Sequence, residues 1–202
     1  MDVSTENLEQ KIVDTARKLF IQEGFDKTSM SDIATAAGIN RTTLHYYFRT
    51  KEKMFQAVFG SIMLSFLPRI QLIFDEDTPI TEKLSKVLDE YIAIFSVNPD
   101  LPRFILSEIQ RDVDHLIHVG RVMHLDGYLS AIEKVILGEM DKGHIKRIPI
   151  PMILVTFMSQ VTFPFLSKNL LHALFFNNEE EYDAFLQEWK NTIVRQMANL
   201  LA

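Results

Sequence analysis

The sequence predicts an all-α protein with a three-helix N-terminal domain and a larger helical C-terminal domain. Apolar residues recur at helical spacing along almost the whole chain, and no stretch of useful length alternates apolar and polar residues. Glycine and proline number only seven each in 202 residues, which disfavours a turn-rich β architecture. We place the domain boundary between residues 1–50 and 51–202, where Thr50 can cap a long helix.

The first helix is predicted from apolar residues at positions 12, 16, 19 and 20, which lie on one face. Gly24 is a natural stop for this helix, and Phe25 can fold back onto its apolar face.

Two short helices are predicted next. Ser29 and Asp32 have the spacing of a capping box, so a second helix should begin there and end at Gly38. Asn40 offers a new N-cap for a third helix that continues through Tyr46. Two short helices around a glycine turn form a helix-turn-helix, whose second helix fits a DNA major groove about 12 Å wide.

Signals farther along the chain predict more helices. Their expected ranges are 51 to about 66, 79–97, a shorter one from about 101, 119–140, 149 or 151 to about 176, and 179 to the end.

The overall net charge of −6 argues against nucleic acid, but the charge is unevenly distributed. Residues 27–53 contain five Lys or Arg and only two carboxylates, whereas residues 54–202 contain 13 basic and 19 acidic residues. A locally basic segment on an acidic body can bind phosphates while the remainder is repelled. Hydrogen-bonding side chains also cluster on the second short helix, and Lys51 adds a cation at the start of the next one.

Residues 28–54, TSMSDIATAAGINRTTLHYYFRTKEKM, resemble the DNA-binding signature of the TetR/AcrR family of regulators. The shared pattern is an Ile-Ala-x-x-Ala-Gly core, a Thr-Leu pair, an aromatic cluster ending in Phe, and Lys-Glu. The matching stretch is 27 of the 202 residues. It implies a repressor that binds a double-stranded DNA operator as a homodimer.

The resemblance also assigns roles to individual residues. It implies base contacts by Arg41, Thr42 and His45, and phosphate contacts by Ser29, Thr43, Tyr46 and Lys51. The family often has Gly or Pro at the position of Thr42 and Tyr at that of His45, so the operator sequence does not carry over.

The C-terminal helices are expected to form the dimer interface, as the family's two last helices do. The alternative is that the same residues fill the core of one monomer. The candidate interface residues are Phe165, Leu166, Leu170, Phe185, Trp189, Ile193 and Met197.

The middle helices are expected to enclose a pocket for a small, apolar effector, because methionines and phenylalanines are plentiful there. Plain core packing is the alternative reading of these residues. The candidates are Phe59, Met63, Phe66, Tyr91, Phe95, Phe104, Met123, His124, Tyr128, Phe157 and Phe163.

Other classes of function have less support. The chain has no cysteine and no common catalytic motif, so we expect neither an enzyme nor a cofactor. The histidines at 115, 118 and 124 show no firm ligand spacing with the aspartates at 112 and 114, so no metal is expected. An activator of the same fold, and a helical ligand-binding protein without DNA function, remain alternatives.

The N-terminal residues lack the layout of a secretory signal, which favours the cytoplasm. Residues 148–167 carry no charge, but three prolines and several hydroxyls interrupt them. A helix buried on two sides explains that segment better than a membrane span, so no membrane is expected.

Overall fold

The computed structural model describes residues 3–202, with side chains from Asn7 onward, and within that range it contains helices and no strand. The helices are α1 (Val3–Glu23), α2 (Met30–Ala37), α3 (Arg41–Tyr47), α4 (Lys51–Leu64), α5 (Leu67–Asp75), α6 (Ile80–Val97), α7 (Leu101–Arg111), α8 (Val113–Val122), α9 (Leu125–Asp141), α10 (Ile150–Leu166), α11 (Lys168–Phe175) and α12 (Glu179–Leu201). The all-α prediction is confirmed.

The helices pack into two compact units. The first contains the chain up to Ser65 together with Arg103–Leu125, and the second contains Phe66–Pro102 together with Asp126–Ala202. This division describes packing, and the functional boundary expected between residues 50 and 51 stays a prediction.

The core of the first unit is built on three phenylalanine rings. Phe20 of α1 and Phe55 of α4 are fully buried, and Phe25 lies between these helices in sequence. The Phe25 ring centroid is 5.7 Å from that of Phe20 and 5.2 Å from that of Phe55, the latter edge to face. Phe25 therefore does fold back onto α1, after a turn in which Gly24 adopts a φ of 86°.

Helix α2 begins and ends as its sequence predicts. The Ser29 side chain accepts a hydrogen bond from the Asp32 amide, and the Asp32 carboxylate accepts one from the Ser29 amide. Hydrogen bonding of the Asp32 carboxylate to the Ser29 side chain, and secondarily to the Ser29 amide, holds the pKa of Asp32 below its ordinary value. At the other end Gly38 has a φ of 71°, and its amide bonds back to the helix.

The expected helix over residues 119–140 is two helices. Helix α8 begins six residues earlier, because Asp112 caps it by accepting a hydrogen bond from the His115 amide. It ends before His124, whose φ of 55° is incompatible with a continuous helix. The predicted single helix is therefore wrong, because a left-handed histidine has no local sequence signal.

The segment Lys51–Asp75 is long and apolar enough to cross a membrane by composition alone, and so are α10 and α11 taken together across their bend. In the first case 44% of the apolar stretch is buried inside the protein.

The second unit contains a break in the expected helix over residues 149–176. Helices α10 and α11 meet at Ser167 with a bend of 64°. Pro164, three residues earlier, has no amide N–H, so the carbonyl of Gln160 has no helical donor.

Helix α12 satisfies the carbonyls at this break. The indole Nε1 of Trp189 donates to the Gln160 carbonyl at 2.9 Å, and the hydroxyl of Tyr182 donates to the Pro164 carbonyl at 3.2 Å. The bend in α10 and α11 is therefore held by side chains from the last helix.

Gly38→Ala should lower the free energy of unfolding by about 1 kcal/mol, because a Cβ is strained in the left-handed conformation. Gly120→Ala is the matched control within the same unit. Gly120 lies inside α8 with open space for a Cβ, so alanine there should raise stability by about 0.5–1 kcal/mol. Urea titrations followed by circular dichroism measure both, and equal signs would contradict the role of Gly38.

Ser29→Ala should remove the N-cap of α2 and cost about 1 kcal/mol of stability near neutral pH. The depressed pKa of Asp32 stabilises the fold above the ordinary carboxyl pKa, and this contribution is lost as pH falls below it. The wild type should therefore lose more stability than Ser29→Ala on acidification through that range. Ser29→Thr keeps a capping hydroxyl and serves as the control; parallel pH profiles for all three proteins would refute the assignment.

Candidate functional site

Helix α3 presents one polar face to solvent and one apolar face to the protein. Arg41 and Thr42 are exposed, and Tyr46 keeps 80% of its surface accessible. Leu44 and Phe48 are buried on the opposite side. The side chains expected to contact DNA bases at 41 and 42 therefore lie on an open surface.

Arg41 and His45 form a hydrogen-bonded pair on α3. The Arg41 Nε donates to His45 Nε2 at 3.3 Å, and His45 Nδ1 lies 3.2 Å from the carbonyl oxygen of Arg49. This geometry fits the neutral histidine tautomer with its proton on Nδ1. His45, which is half-buried, thus orients Arg41 and leaves the terminal guanidinium nitrogens facing outward.

Two of the expected phosphate contacts also have structural tasks. The amide and hydroxyl of Thr43 both bond to the side-chain oxygen of Asn40, at 2.8 and 3.0 Å, and so cap α3. The Ser29 hydroxyl belongs to the capping box of α2. Each hydroxyl lies at a helix N-terminus, where backbone N–H groups favour an anion.

Lys51 stands at the first position of α4. Its ammonium donates to the Asp26 carbonyl at 3.3 Å and lies 4.3 Å from the centroid of the Phe25 ring. Thr50 caps the same helix through the amide of Lys53. The cation and the helix end are predictable from the sequence, whereas the ring beneath the cation is brought there by the fold.

The residues expected to line an effector pocket are divided between the two units. In the first unit Phe59 stacks on Phe55 with a centroid distance of 5.7 Å, and Phe104 lies 6.1 Å from the same ring. Met123 packs directly against Gly60, where any Cβ would overlap the Met123 methyl group. Met63 is half-buried, and His124 is exposed.

In the second unit four of the expected pocket residues form a chain of rings. Tyr91 is 5.7 Å from Phe66, 5.7 Å from Phe95 and 5.9 Å from Phe157. Burial raises the pKa of Tyr91 to about 12.

The other two expected pocket residues in the second unit differ from these. Tyr128 is half-buried, whereas Phe163 is 64% exposed and lies on the outer surface of α10.

An open cleft of about 1130 Å³ lies in the second unit between the α5–α6 turn and α9. Its lining carries charges of both signs, among them Asp77, Lys83, Lys134 and Glu139. The side chains of Lys142 and His144 hold the pKa of Glu139 below its ordinary value. None of the eleven residues expected to bind effector belongs to this lining.

The residues expected at a dimer interface fall into two groups. Phe165, Ile193 and Met197 are buried within one chain and have almost no side-chain surface to offer a second copy. Phe185 and Trp189 are half-buried, while Leu166 and Leu170 are exposed.

The structure adds an exposed apolar surface that the sequence analysis did not single out. We call this surface, together with Leu166 and Leu170, the α10–α11 face. Its further residues are Met152, Leu154, Val155, Phe163, Leu174 and Phe175.

The histidine-containing segment at residues 112–124 makes contacts within the protein. Asp112 caps α8, and the His115 ring lies 5.3 Å from that of Phe55. Among the described residues no group of three or more His, Asp and Glu side chains is arranged to hold a metal ion.

Comparison with known proteins identifies the N-terminal part. Residues 12–58 match the family model of bacterial regulatory proteins of the tetR family. The fatty acid metabolism regulator protein of Bacillus subtilis is 25% identical over 137 residues, which is 67% of this chain and 70% of that protein. The biofilm operon negative transcriptional regulator IcaR of Staphylococcus epidermidis is 23% identical over 124 residues, 58% of this chain and 65% of that one.

The fold of the whole chain is also known. The crystal structure of the regulator FadR from Bacillus subtilis in complex with stearoyl-CoA matches with a TM-score of 0.73 and 20% identity, covering 96% of this chain and 99% of that one. FadR from Bacillus halodurans matches with a TM-score of 0.67 and 21% identity over 92% and 97% of the two chains. Residues 12–58 therefore form a domain of the tetR family type, and the chain as a whole shares the fold of the FadR regulators.

Proposed function

We propose that the protein is a ligand-responsive repressor that binds a palindromic operator as a homodimer. The observation that carries the proposal is that α3 has one buried and one exposed face. Leu44 anchors the buried face, and Arg41, Thr42 and Tyr46 lie on the exposed one. Arg can bond bidentately to guanine O6 and N7 in the major groove, so Arg41 is the main candidate for direct base contact. Lys51 and the helix N-termini at Ser29 and Asn40 supply phosphate contacts around it.

A second copy of the chain supplies the second half of the operator. One helix of seven residues contacts few base pairs, so helix-turn-helix proteins pair across a two-fold axis with recognition helices about 34 Å apart. The α10–α11 face is the surface we assign to this pairing, because its residues are apolar and exposed on two consecutive helices. Its residues partly replace those expected from sequence, three of which are already buried.

Two relatives support the proposals of repression and of ligand binding. IcaR is a negative regulator, and the FadR structure contains stearoyl-CoA. An effector with a long apolar chain also suits the rings around Tyr91. It needs to favour the non-binding state by only a few kcal/mol to empty the operator. Long-chain acyl thioesters are therefore the first effectors to titrate into the operator complex. A cytoplasmic location would give the protein access to both these compounds and the chromosome.

The purified full chain should enrich a palindrome from a random duplex library, with half-site centres one helical turn or a multiple of it apart. Arg41→Ala should weaken binding by about 1–3 kcal/mol and relax preference at one base pair of each half-site. Lys51→Ala is the contrasting variant, which should weaken all duplexes alike and lower the salt slope by about one. Failure of the wild type to enrich any duplex at low salt would refute the DNA-binding function.

Leu170→Glu, alone or with Val155→Glu, should convert the dimer to monomer in light scattering at micromolar concentration. A carboxylate within an apolar interface has no partner and costs several kcal/mol to desolvate. Leu72→Glu is the control, since Leu72 is equally exposed but lies on α5, outside the α10–α11 face. A dimer that survives both substitutions would place the interface elsewhere.

A further inference from the structure

Two cations share the ring of Phe25. The ammonium of Lys51 lies 4.3 Å from the ring centroid, and the guanidinium carbon of Arg111 lies 4.2 Å from the same centroid. Lys51 begins α4 beside the helix-turn-helix, whereas Arg111 ends α7 far along the chain. Both distances are within the range in which a cation is attracted to an aromatic face. The tetR family match ends at residue 58, so it does not include Arg111.

The charge of Arg111 is compensated by a buried carboxylate. Its Nε and one terminal nitrogen both donate to the same oxygen of Glu108, at 2.8 and 2.7 Å, and Glu108 is only 2% exposed. Without Glu108 two uncompensated cations would repel one another across one ring. Because Glu108 pairs with Arg111, the guanidinium can lie against Phe25 with less repulsion of the Lys51 ammonium. The ammonium of Lys51 can then bind another anion.

The remaining contacts fix the ring and the guanidinium in place. Phe25 is buried and packs edge to face on Phe55, and the His115 ring lies 6.3 Å from Phe25 and 5.3 Å from Phe55. One terminal nitrogen of Arg111 is 3.4 Å from His115 Nδ1. Phe25 is therefore held by α4 on one part of its surface and by α7 and α8 on another.

Lys51, by contrast, has few restraints of its own. Among the residues that the structure describes, its ammonium makes one hydrogen bond, to the Asp26 carbonyl, out of the three that it can donate. Lysine has a flexible stem and loses considerable rotamer freedom when it is ordered. Contact with the fixed Phe25 ring reduces the rotamer freedom that the Lys51 side chain would lose on binding a phosphate. The same contact leaves N–H groups of the ammonium available to donate.

We propose that Arg111 positions the ammonium of Lys51 for phosphate binding, by fixing the Phe25 ring that both cations contact. The inference rests on the proposed phosphate contact of Lys51. Arg111 itself touches no DNA in this proposal and acts only through the ring. It gives α7 a direct physical effect on an anchor of the DNA-binding domain.

The test is a double-mutant cycle on the operator recovered by selection, with affinity measured by fluorescence anisotropy at several salt concentrations. Arg111→Gln combined with Glu108→Gln removes the cation without leaving a buried carboxylate alone. It should weaken operator binding by about three- to tenfold in the wild-type background and by less than twofold in the Lys51→Ala background. Phe25→Leu, which keeps the ion pair and an apolar side chain at this position, should show the same pattern.

Arg121→Gln is the matched control, because Arg121 is an exposed arginine on α8 outside this cluster, and it should have no effect in either background. Thermal melts of each variant identify the folded proteins on which the cycle is evaluated. Equal losses in both backgrounds would overturn the positioning role while leaving the DNA-binding function intact. A Lys51→Ala protein with unchanged affinity and salt slope would overturn the phosphate contact and the positioning role together, and a wild type that enriches no duplex would refute the proposed function itself.

Discussion

A helix of seven residues is too short to be stable in water by itself, so α3 exists only because the rest of the first unit holds it. Leu44 and Phe48 anchor its inner face, Asn40 caps its start, and the left-handed Gly38 sets the turn that brings it against α2. The orientation of the outward side chains depends on this anchoring. Arg41 can be aimed at a base edge because His45 and the backbone of Arg49 fix it from within the same short segment.

The parts of the fold that the sequence predicted are those specified by local chemistry. Capping residues at 29, 40 and 50 and glycines at 24 and 38 mark helix ends through hydrogen bonds and backbone angles that involve only near neighbours. The break at His124 was missed because a left-handed histidine has no local sequence signal. Pro164 does signal a break locally, but the bend at Ser167 also depends on the bonds that α12 makes to the carbonyls there. For the same reason Ile193 and Met197 were assigned to a dimer, since helical periodicity identifies an apolar face but not what covers it.

The candidate site divides in the same way. The residues proposed to contact DNA lie within one continuous segment, so a resemblance in local sequence could name all of them. The cap roles of Ser29 and Thr43 were not separable from phosphate binding. The effector-binding candidates are spread over helices from both packing units, and ring-rich composition alone does not separate a pocket wall from a core. Phe163 illustrates the limit, because its place on the open side of α10 follows from the direction of the helix within the second unit.

The bend between α10 and α11 has a practical consequence. Trp189 is the only tryptophan in the chain, and its indole N–H is bonded to the carbonyl that Pro164 leaves without a donor. Indole emission depends on the polarity and hydrogen bonding around the ring. The protein therefore carries an intrinsic optical probe next to the helix that bears its exposed apolar surface, and this probe reports on the geometry of that helix without any label.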